Sequence, residues 1–377
     1  MNERKKILFV MISLGGGGAE RVSLNILKYI NREKFIPSLV LFEKKGVYLD
    51  QIPEDVAVYD LKKRSRFDFF KLIFRLAYRI YPKVKPDIVV SFLSYANFIS
   101  IFSRVFSFSI KPSIVVSEHS STSISLRLNR LKRINMLLLK NIYPLTDKII
   151  VVSKGIKKDL IQNFNISDKK IKLIYNAINL PEIEKLSKES VTTELFNDDI
   201  PIVIACGRLT YEKNFPLLLN SFSKVLKKHN AKLLILGEGE EKGKLVKLSC
   251  ILEIDDKVFF LGFQKNPFKY MAKSDVFVLS SIYEGFGNVI VEAMACGIPV
   301  ISTDCPSGPG EIITDGVNGF LVPVGDILAM SDVILKLLKD EKLRKDIAAA
   351  GKIRAGDFLV EKMVSEYESV FENIIIK

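Results

Sequence analysis

Along the chain, short apolar runs rich in valine and isoleucine alternate with longer stretches whose apolar residues recur every three to four positions. The runs KILFVMIS, PSLVLF, DIVVSF, SIVVS and KIIVVS fall in the first half, and IPIVIACG, KLLILG, KVFFLG, DVFVLSS and PVIST in the second. None of them alternates strictly between apolar and polar. Strands that are apolar on both faces belong in a parallel sheet covered by helices on both sides. The helical periodicity predicts helices over residues 19–30, 67–81, 97–108, 126–143 and 154–163, then over 215–228, 240–250, 267–272 and 289–296. Strand–helix alternation that occurs twice predicts two doubly wound α/β domains. A polar stretch without a strand, residues 179–201, lies between them. The expected division is residues 1–180, residues 181–357, and a C-terminal helix over 358–377 that crosses back to the first domain.

A chain of 377 residues is too long for one ordinary core and suits this two-domain reading. Two segments imitate export or membrane signals. The basic start and apolar run from Ile7 to Leu14 ends in four glycines and an acid–base pair, which fits a buried first strand better than a signal peptide. The run from Asp87 to Ile110 is long enough to span a bilayer, but Asn97, Arg104 and six serines interrupt it, so it reads as a strand and an amphipathic helix. The four cysteines, at 206, 250, 296 and 305, form no C-x-x-C pair. They indicate neither a disulfide framework nor a zinc site, and reduced thiols fit the cytosol.

Charge changes the picture. Residues 1–180 hold 32 Lys+Arg against 14 Asp+Glu, whereas the remainder holds 24 against 29. Such asymmetry concerns partners rather than fold, and the first domain is expected to meet something anionic. In KKRSRFDFFKLIFRLAYRIYPKVK, Phe67, Phe70, Phe74, Tyr78 and Tyr81 recur at helical spacing beside Lys71, Arg75 and Arg79. A second stretch sets Leu131, Ile134, Leu138 and Ile142 beside Arg130, Arg133 and Lys140. Basic amphipathic helices with aromatic residues suit an anionic membrane interface. The apolar faces themselves are expected to cover the sheet of the first domain, leaving the cations for the membrane. No nucleic-acid reader motif is present.

Three stretches carry chemistry. The run Gly15-Gly16-Gly17-Gly18 follows the first strand and precedes a helix, where glycines let backbone N–H groups approach a phosphate. A tight turn explains it equally well, because G-x-G-x-x-G is not satisfied. Glu43, at the end of the second strand, resembles a ribose-binding acid and keeps a dinucleotide enzyme as an alternative. The second stretch, GRLTYEKN, puts Arg208 and Lys213 in a strand-to-helix loop, and such cations grip a diphosphate. The third, SSIYEGFGNVIVEAMACGIPVIST, carries a glycine turn into a helix that starts near Asn288, with Glu284 in the turn and Glu292 in the helix. The helix N-terminus favours phosphate, and a carboxylate can accept two hydrogen bonds from a sugar diol. Glu292 lies among Val291, Ala293, Met294 and Ala295, an environment in which an acid needs a partner.

These blocks resemble the large retaining glycosyltransferase family usually numbered four, which has the GT-B fold. The matching stretches are GGGGAER, SEH at Ser117–His119, DKIIVVSKG, IYNAIN, GRLTYEKN, LLILGEGEE, VFFLGF, the two-glutamate block and ITDGVNGFLVPVGD, in family order over nearly the whole chain. The resemblance implies two Rossmann-like α/β domains facing across a cleft. It implies that Arg208 and Lys213 bind the donor diphosphate and Glu292 the ribose hydroxyls. Glu284, with the backbone of Gly285, Phe286, Gly287 and Asn288, would hold the transferred sugar, and the N–H groups of Asn288 and Val289 at the helix N-terminus would face phosphate. Gly16 and Gly17 would lie against the phosphates, Gly262 and Phe263 near the base, and His119 near the donor sugar or the reacting centre. Read without the resemblance, His119 is a buried structural histidine. The family implies retention without a metal or other cofactor, and the chain contains no D-x-D triplet. A UDP-sugar is the expected donor, and a polyprenyl-diphosphate-linked glycan is the expected acceptor. The expected location is the cytoplasmic face of the membrane. The alternatives are a nucleotide-sugar epimerase of the same fold, an NAD-dependent enzyme, and a silent sugar-nucleotide-binding protein.

Overall fold

A computed structural model describes residues 3–65, 67–121, 123–124, 132–191 and 193–375. The chain divides into two compact units, residues 1–177 with 360–377, and residues 178–359. The N-terminal unit holds seven strands: β1 (Lys5–Met11), β2 (Phe35–Leu41), β3 (Ala57–Asp60), β4 (Ile88–Phe92), β5 (Ser113–Glu118), β6 (Lys148–Val151) and β7 (Ile171–Leu173). They pair in parallel in the order β3-β2-β1-β4-β5-β6-β7. The second unit holds β8 (Ile202–Cys206), β9 (Lys232–Leu236), β10 (Val258–Gly262), β11 (Val276–Leu279), β12 (Val300–Thr303) and β13 (Phe320–Val322), in the order β10-β9-β8-β11-β12-β13. In each sheet the strand order reverses once, between β1 and β4 and between β8 and β11. Ligands of open α/β sheets bind beyond the strand ends at such a reversal.

Three strands do not announce themselves in the apolar pattern: β3, β7 and β13. Each lies at a sheet edge and spans only three or four residues. An edge strand pairs on one side and needs no continuous apolar run. The stretch expected to be a plain linker contains a helix, Leu180–Ser187, whose Asn179 cap accepts from Glu182 N at 3.2 Å. Arg130 and Leu131, expected in a basic amphipathic helix, lie outside the described residues; the helix there runs Lys132–Ile142.

The helix Val360–Ile375 completes the core of the N-terminal unit. Its Val360, Met363, Val364, Tyr367, Val370 and Phe371 are buried in one cluster with Phe9, Ile26 and Phe35. Phe371 meets Phe35 edge-on at 6.0 Å between ring centroids. Burying one such ring contributes about 2 kcal/mol. The Glu368 carboxylate accepts from Asn31 N at 2.7 Å, which fixes the helix along its length. In the second unit the helices Phe215–Leu226 and Ile327–Lys339 pack on each other and bury Leu218, Phe222, Ile334 and Leu337 in one cluster with Val203 of β8 and Val278 of β11.

The aromatic stripe of residues 67–81 departs from its expected role. Leu72, Ile73, Leu76, Ala77, Ile80 and Tyr81 are buried, whereas Phe67, Phe70, Phe74 and Tyr78 are exposed. The segment is a helix over Phe69–Arg75, a wider π turn over Leu76–Ile80 and a short helix over Tyr81–Val84. Two apolar faces compete for the interior, and the aliphatic one is buried, with the segment packed on the helix Ser94–Phe106. Arg75 is also drawn away from the expected cationic ridge: its guanidinium donates to the carbonyls of Leu61 at 2.5 Å and Lys62 at 3.3 Å.

Candidate active site

In the second unit, the reversal of strand order sets the loop after β8 beside the loop after β11. Ile282 N donates to Glu212 O at 2.8 Å, and Ser280 Oγ donates to Lys213 O at 2.8 Å. These bonds stitch together segments some seventy residues apart in sequence. The result is an ion pair: Lys213 Nζ lies 2.5 Å from Glu284 Oε1, with side-chain exposures of 16% and 11%. Ser281 Oγ donates to the same carboxylate oxygen at 2.7 Å. Thr303 Oγ1, at the end of β12, donates to Ser281 O at 2.6 Å and holds that serine's backbone. Arg208 behaves differently: its side chain is 75% exposed and only 3.5 Å from Glu212.

The glycine turn then leads into the helix Asn288–Ala295, capped by Gly287 in the left-handed region. Phe286 is buried and packs edge-on against Phe358, so this residue offers its backbone rather than its ring to a ligand. A Cβ on Gly308 would stand 2.1 Å from Phe286 O, and its φ is +91°. Only glycine lets the loop after β12 approach the turn this closely. Glu292 is buried rather than a surface acid. Burial, with the Glu292 charge as a second cause, pushes the Cys296 thiol up to about 12.

Loops after β8, β9 and β10 meet beside this cluster. Gly237 N donates to Gly262 O at 2.8 Å, and Leu209 N donates to Glu238 O at 2.9 Å. A Cβ on Gly237, whose φ is +137°, would lie 1.9 Å from Gly207 O. Phe263, next to Gly262, is half-exposed.

In the N-terminal unit, Gly17 caps the helix Gly18–Tyr29 that follows β1, and Leu14 N donates to Lys45 O at 3.0 Å. Glu43 is engaged by two cations, Lys45 and, at 2.8 Å, Lys63. Hydrogen bonds from Lys45 and then Lys63 hold its carboxyl below the usual range. A carboxylate so occupied is a poor ribose acceptor, which removes the residue that motivated the NAD reading.

His119 follows β5. Its ring lies against Phe92, with centroids 5.6 Å apart, and its Nε2 is 2.9 Å from Ser117 Oγ. Burial lowers its pKa to about 3, so the ring is neutral. Its neighbour Glu118 is a residue that sequence reasoning passed over. It is fully buried and accepts from Asn97 Nδ2 at 2.8 Å, from Tyr143 Oη and from Ser94 Oγ. Burial raises its pKa to about 7, opposed by the bonds from Tyr143 and Asn97. The structure carries β5 one residue past the apolar run SIVVS to Glu118, and an acid buried there requires partners.

The model for Glycosyltransferase Family 4 matches residues 16–182, and that for Glycosyl transferases group 1 matches residues 187–354. A Campylobacter jejuni relative is 36% identical over 361 residues, covering 94% of this chain and 96% of the relative. It is an N-acetylgalactosamine-N,N'-diacetylbacillosaminyl-diphospho-undecaprenol 4-alpha-N-acetylgalactosaminyltransferase. The chain belongs to the family 4 glycosyltransferases. An amylovoran biosynthesis glycosyltransferase from Erwinia amylovora is 26% identical over 94% of this family 4 enzyme and 95% of the relative. Among solved structures, Anabaena HepE in complex with UDP and glucose superposes with a TM-score of 0.82 at 22% identity, covering 98% of this chain and all of that one. At that identity the likeness shows the GT-B fold alone. For the family 4 enzyme described here, the structure joins Lys213 to Glu284 and places Arg208 and Glu292 on the elements beside them. Gly16, Gly17 and His119 belong to the other unit.

Proposed function

We propose that this enzyme moves a hexose or N-acetylhexosamine from a UDP-sugar to a polyprenyl-diphosphate-linked glycan, with retention and without a metal. The observation that carries the reading is the Lys213–Glu284 pair at the strand-order reversal, beside the N-terminus of the Asn288–Ala295 helix and the exposed Arg208. Lys213, Arg208 and the helix N–H groups supply positive potential to a leaving diphosphate. Glu292 takes the ribose diol and Glu284 a sugar hydroxyl. The acceptor oxygen attacks the anomeric carbon from the face the diphosphate leaves. The departing oxygen takes the acceptor's proton, so neither glutamate serves as nucleophile or base. The acceptor class is supported by the Campylobacter jejuni relative, whose name specifies a diphospho-undecaprenol substrate. The test is release of nucleotide from a panel of UDP- and GDP-sugars in EDTA, with and without lipid-linked acceptors. Release from one donor, stimulated by acceptor and abolished in Glu292→Ala, supports the reading. Sugar conversion without nucleotide loss would instead identify an epimerase.

The same reading places the N-terminal unit on an anionic membrane at the cytoplasmic face. Among the described residues no helix is long and apolar enough to cross a bilayer. The exposed rings of Phe74 and Tyr78 stack at 5.9 Å, Phe106 lies 5.8 Å from Phe74, and Phe108, 87% exposed, lies 6.4 Å from Tyr78. Exposed Lys71 and Arg79 accompany this apolar patch. Aromatic rings beside cations suit a lipid interface, and each near-surface cation adds about 1 kcal/mol on anionic lipid. Cosedimentation with phosphatidylglycerol vesicles should be lost in Lys71→Glu/Arg79→Glu and weakened in Phe74→Ser/Phe108→Ser. Equal binding by both variants would remove the membrane from this reading.

A further inference from the structure

The hydroxyls at the strand ends around the Lys213–Glu284 pair are spent within the fold, with one exception. Ser280 donates to Lys213 O, Ser281 to the Glu284 carboxylate, Ser302 to Thr303 O and Thr303 to Ser281 O. Ser307, in the loop between β12 and the short helix Pro309–Ile312, makes no side-chain hydrogen bond among the described residues. It is partly exposed, so a ligand can reach it. Its neighbours fix its place. Glu284 N donates to Pro306 O at 3.5 Å, and the Cβ position of Gly308 lies 2.1 Å from Phe286 O. With Pro306 against Glu284 and Gly308 against Phe286, Ser307 is aligned with Gly285 of the glycine turn. Ser307 also stands at φ +69°. Glycine enters that left-handed region freely, whereas an L side chain strains in it. Lys85 and Asn165 take positive φ where they end helices, but Ser307 ends none. Strain of this kind persists in loops that hold ligands. Compared with glycine, serine here adds strain and one unspent hydroxyl.

We infer that Ser307 is a specificity-determining residue that hydrogen-bonds a hydroxyl or acetamido group of the transferred sugar. This rests on the reading that Glu284 and the glycine turn hold that sugar. A serine hydroxyl both donates and accepts, so it can pair with a sugar hydroxyl or with an amide carbonyl. Glu284 and Ser307 approach from adjoining loops of the same unit and differ in what they can read: a carboxylate only accepts, whereas Ser307 does either. A sugar that lacks an oxygen at that point, or presents it on the other face of the ring, leaves Ser307 unpaired. The bond is neutral and reaches solvent, so its discrimination is modest. Ser307 selects among donors and takes no part in bond breaking.

The experiment measures, by titration calorimetry on the full chain, the affinities for UDP, UDP-glucose, UDP-galactose, UDP-N-acetylglucosamine and UDP-N-acetylgalactosamine. Ser307→Ala keeps the strain and removes the hydroxyl, and Ser307→Gly removes both. UDP itself should bind both variants as it binds the parent. The advantage of the preferred UDP-sugar over the least favoured should shrink about five- to ten-fold in both variants, the worth of one neutral hydrogen bond. The melting temperature should rise by about 2 °C in Ser307→Gly and stay in place in Ser307→Ala. Selectivity equal to the parent's in both variants would overturn the inference. So would selectivity lost in Ser307→Gly but kept in Ser307→Ala, which would assign the effect to the backbone. Equal affinity of the parent for UDP and for every UDP-sugar would remove the reading that this turn holds a sugar, and the inference with it.

Discussion

Glu118 ends one parallel strand and Glu284 lies in the turn after another, and their surroundings differ in kind. Glu284 meets Lys213 at 2.5 Å and keeps some access to solvent. Glu118 meets an amide, a phenol and a serine hydroxyl, with no cation among its described partners, and its pKa rises to about 7. Around Glu118 the loss of water outweighs the hydrogen bonds it accepts. The first arrangement sets an ion pair beside the N-terminus of the Asn288–Ala295 helix. The second buries a carboxyl next to His119 that holds its proton up to about pH 7. One fold thus supplies an ionic site and a neutral one from the same residue type.

The largest effect should come from breaking the ionic half. If Lys213 serves the leaving group as proposed, Lys213→Ala should lower nucleotide release by about 10²–10³. It also strands Glu284, and urea unfolding should show a loss of about 3 kcal/mol. In Lys213→Met/Glu284→Gln the stability should return while release does not. A Lys213→Ala protein as stable as the parent would show that the pair does not hold the charge.

The neutral half is probed by pH. Glu118 binds its proton more tightly folded, at about 7, than unfolded, at about 4.5. Its contribution is therefore whole below 4.5 and is lost as pH rises towards 7 and above. His119 has the opposite sign: with a folded value of about 3 against 6.5, it loses stability as pH falls below 6.5. Glu118→Gln cannot ionise, so at pH 8 it should exceed the parent by up to about 3 kcal/mol, while at pH 4.5 the two should agree. A difference independent of pH would mean that Glu118 is charged in the folded enzyme.

A third effect lies in the backbone beneath the ionic site. Gly308→Ala puts a Cβ against Phe286 O, at a φ that side chains avoid. The loss should be about 1–3 kcal/mol in thermal unfolding, accompanied by weaker nucleotide-sugar binding as the glycine turn shifts. No change would show that the two loops can part without cost.

Much of the ionic site was legible in the sequence because its parts are local: a glycine turn, a helix start and two acids eight positions apart. The pairing of Lys213 with Glu284 was not, because it depends on β8 lying beside β11 while β9 and β10 go to the other side. The neutral site was harder to read. SEH sits at the end of an apolar strand, and nothing local says that Asn97 and Tyr143 converge on Glu118. The aromatic stripe shows a different limit. Periodicity reveals that Phe70, Phe74 and Tyr78 share a face, but Leu72, Ile73 and Leu76 form a second face, and only packing decides which one is buried.

The smallest effect should come from the residue that the ionic site leaves in solvent. Arg208→Lys keeps the charge and loses the planar fork that meets two phosphate oxygens together. With the side chain 75% exposed, nothing in the fold depends on that fork. Thermal unfolding should stay within about 0.5 kcal/mol of the parent. The kcat/KM for the nucleotide-sugar should fall about five-fold, which corresponds to about 1 kcal/mol. The contrast with Lys213→Ala is the informative part. There, activity and stability fall together because one side chain serves both the site and its carboxylate partner. At Arg208 the two separate, and a stability loss equal to the activity loss would mean that Arg208 is part of the packed cluster rather than a free arm over it.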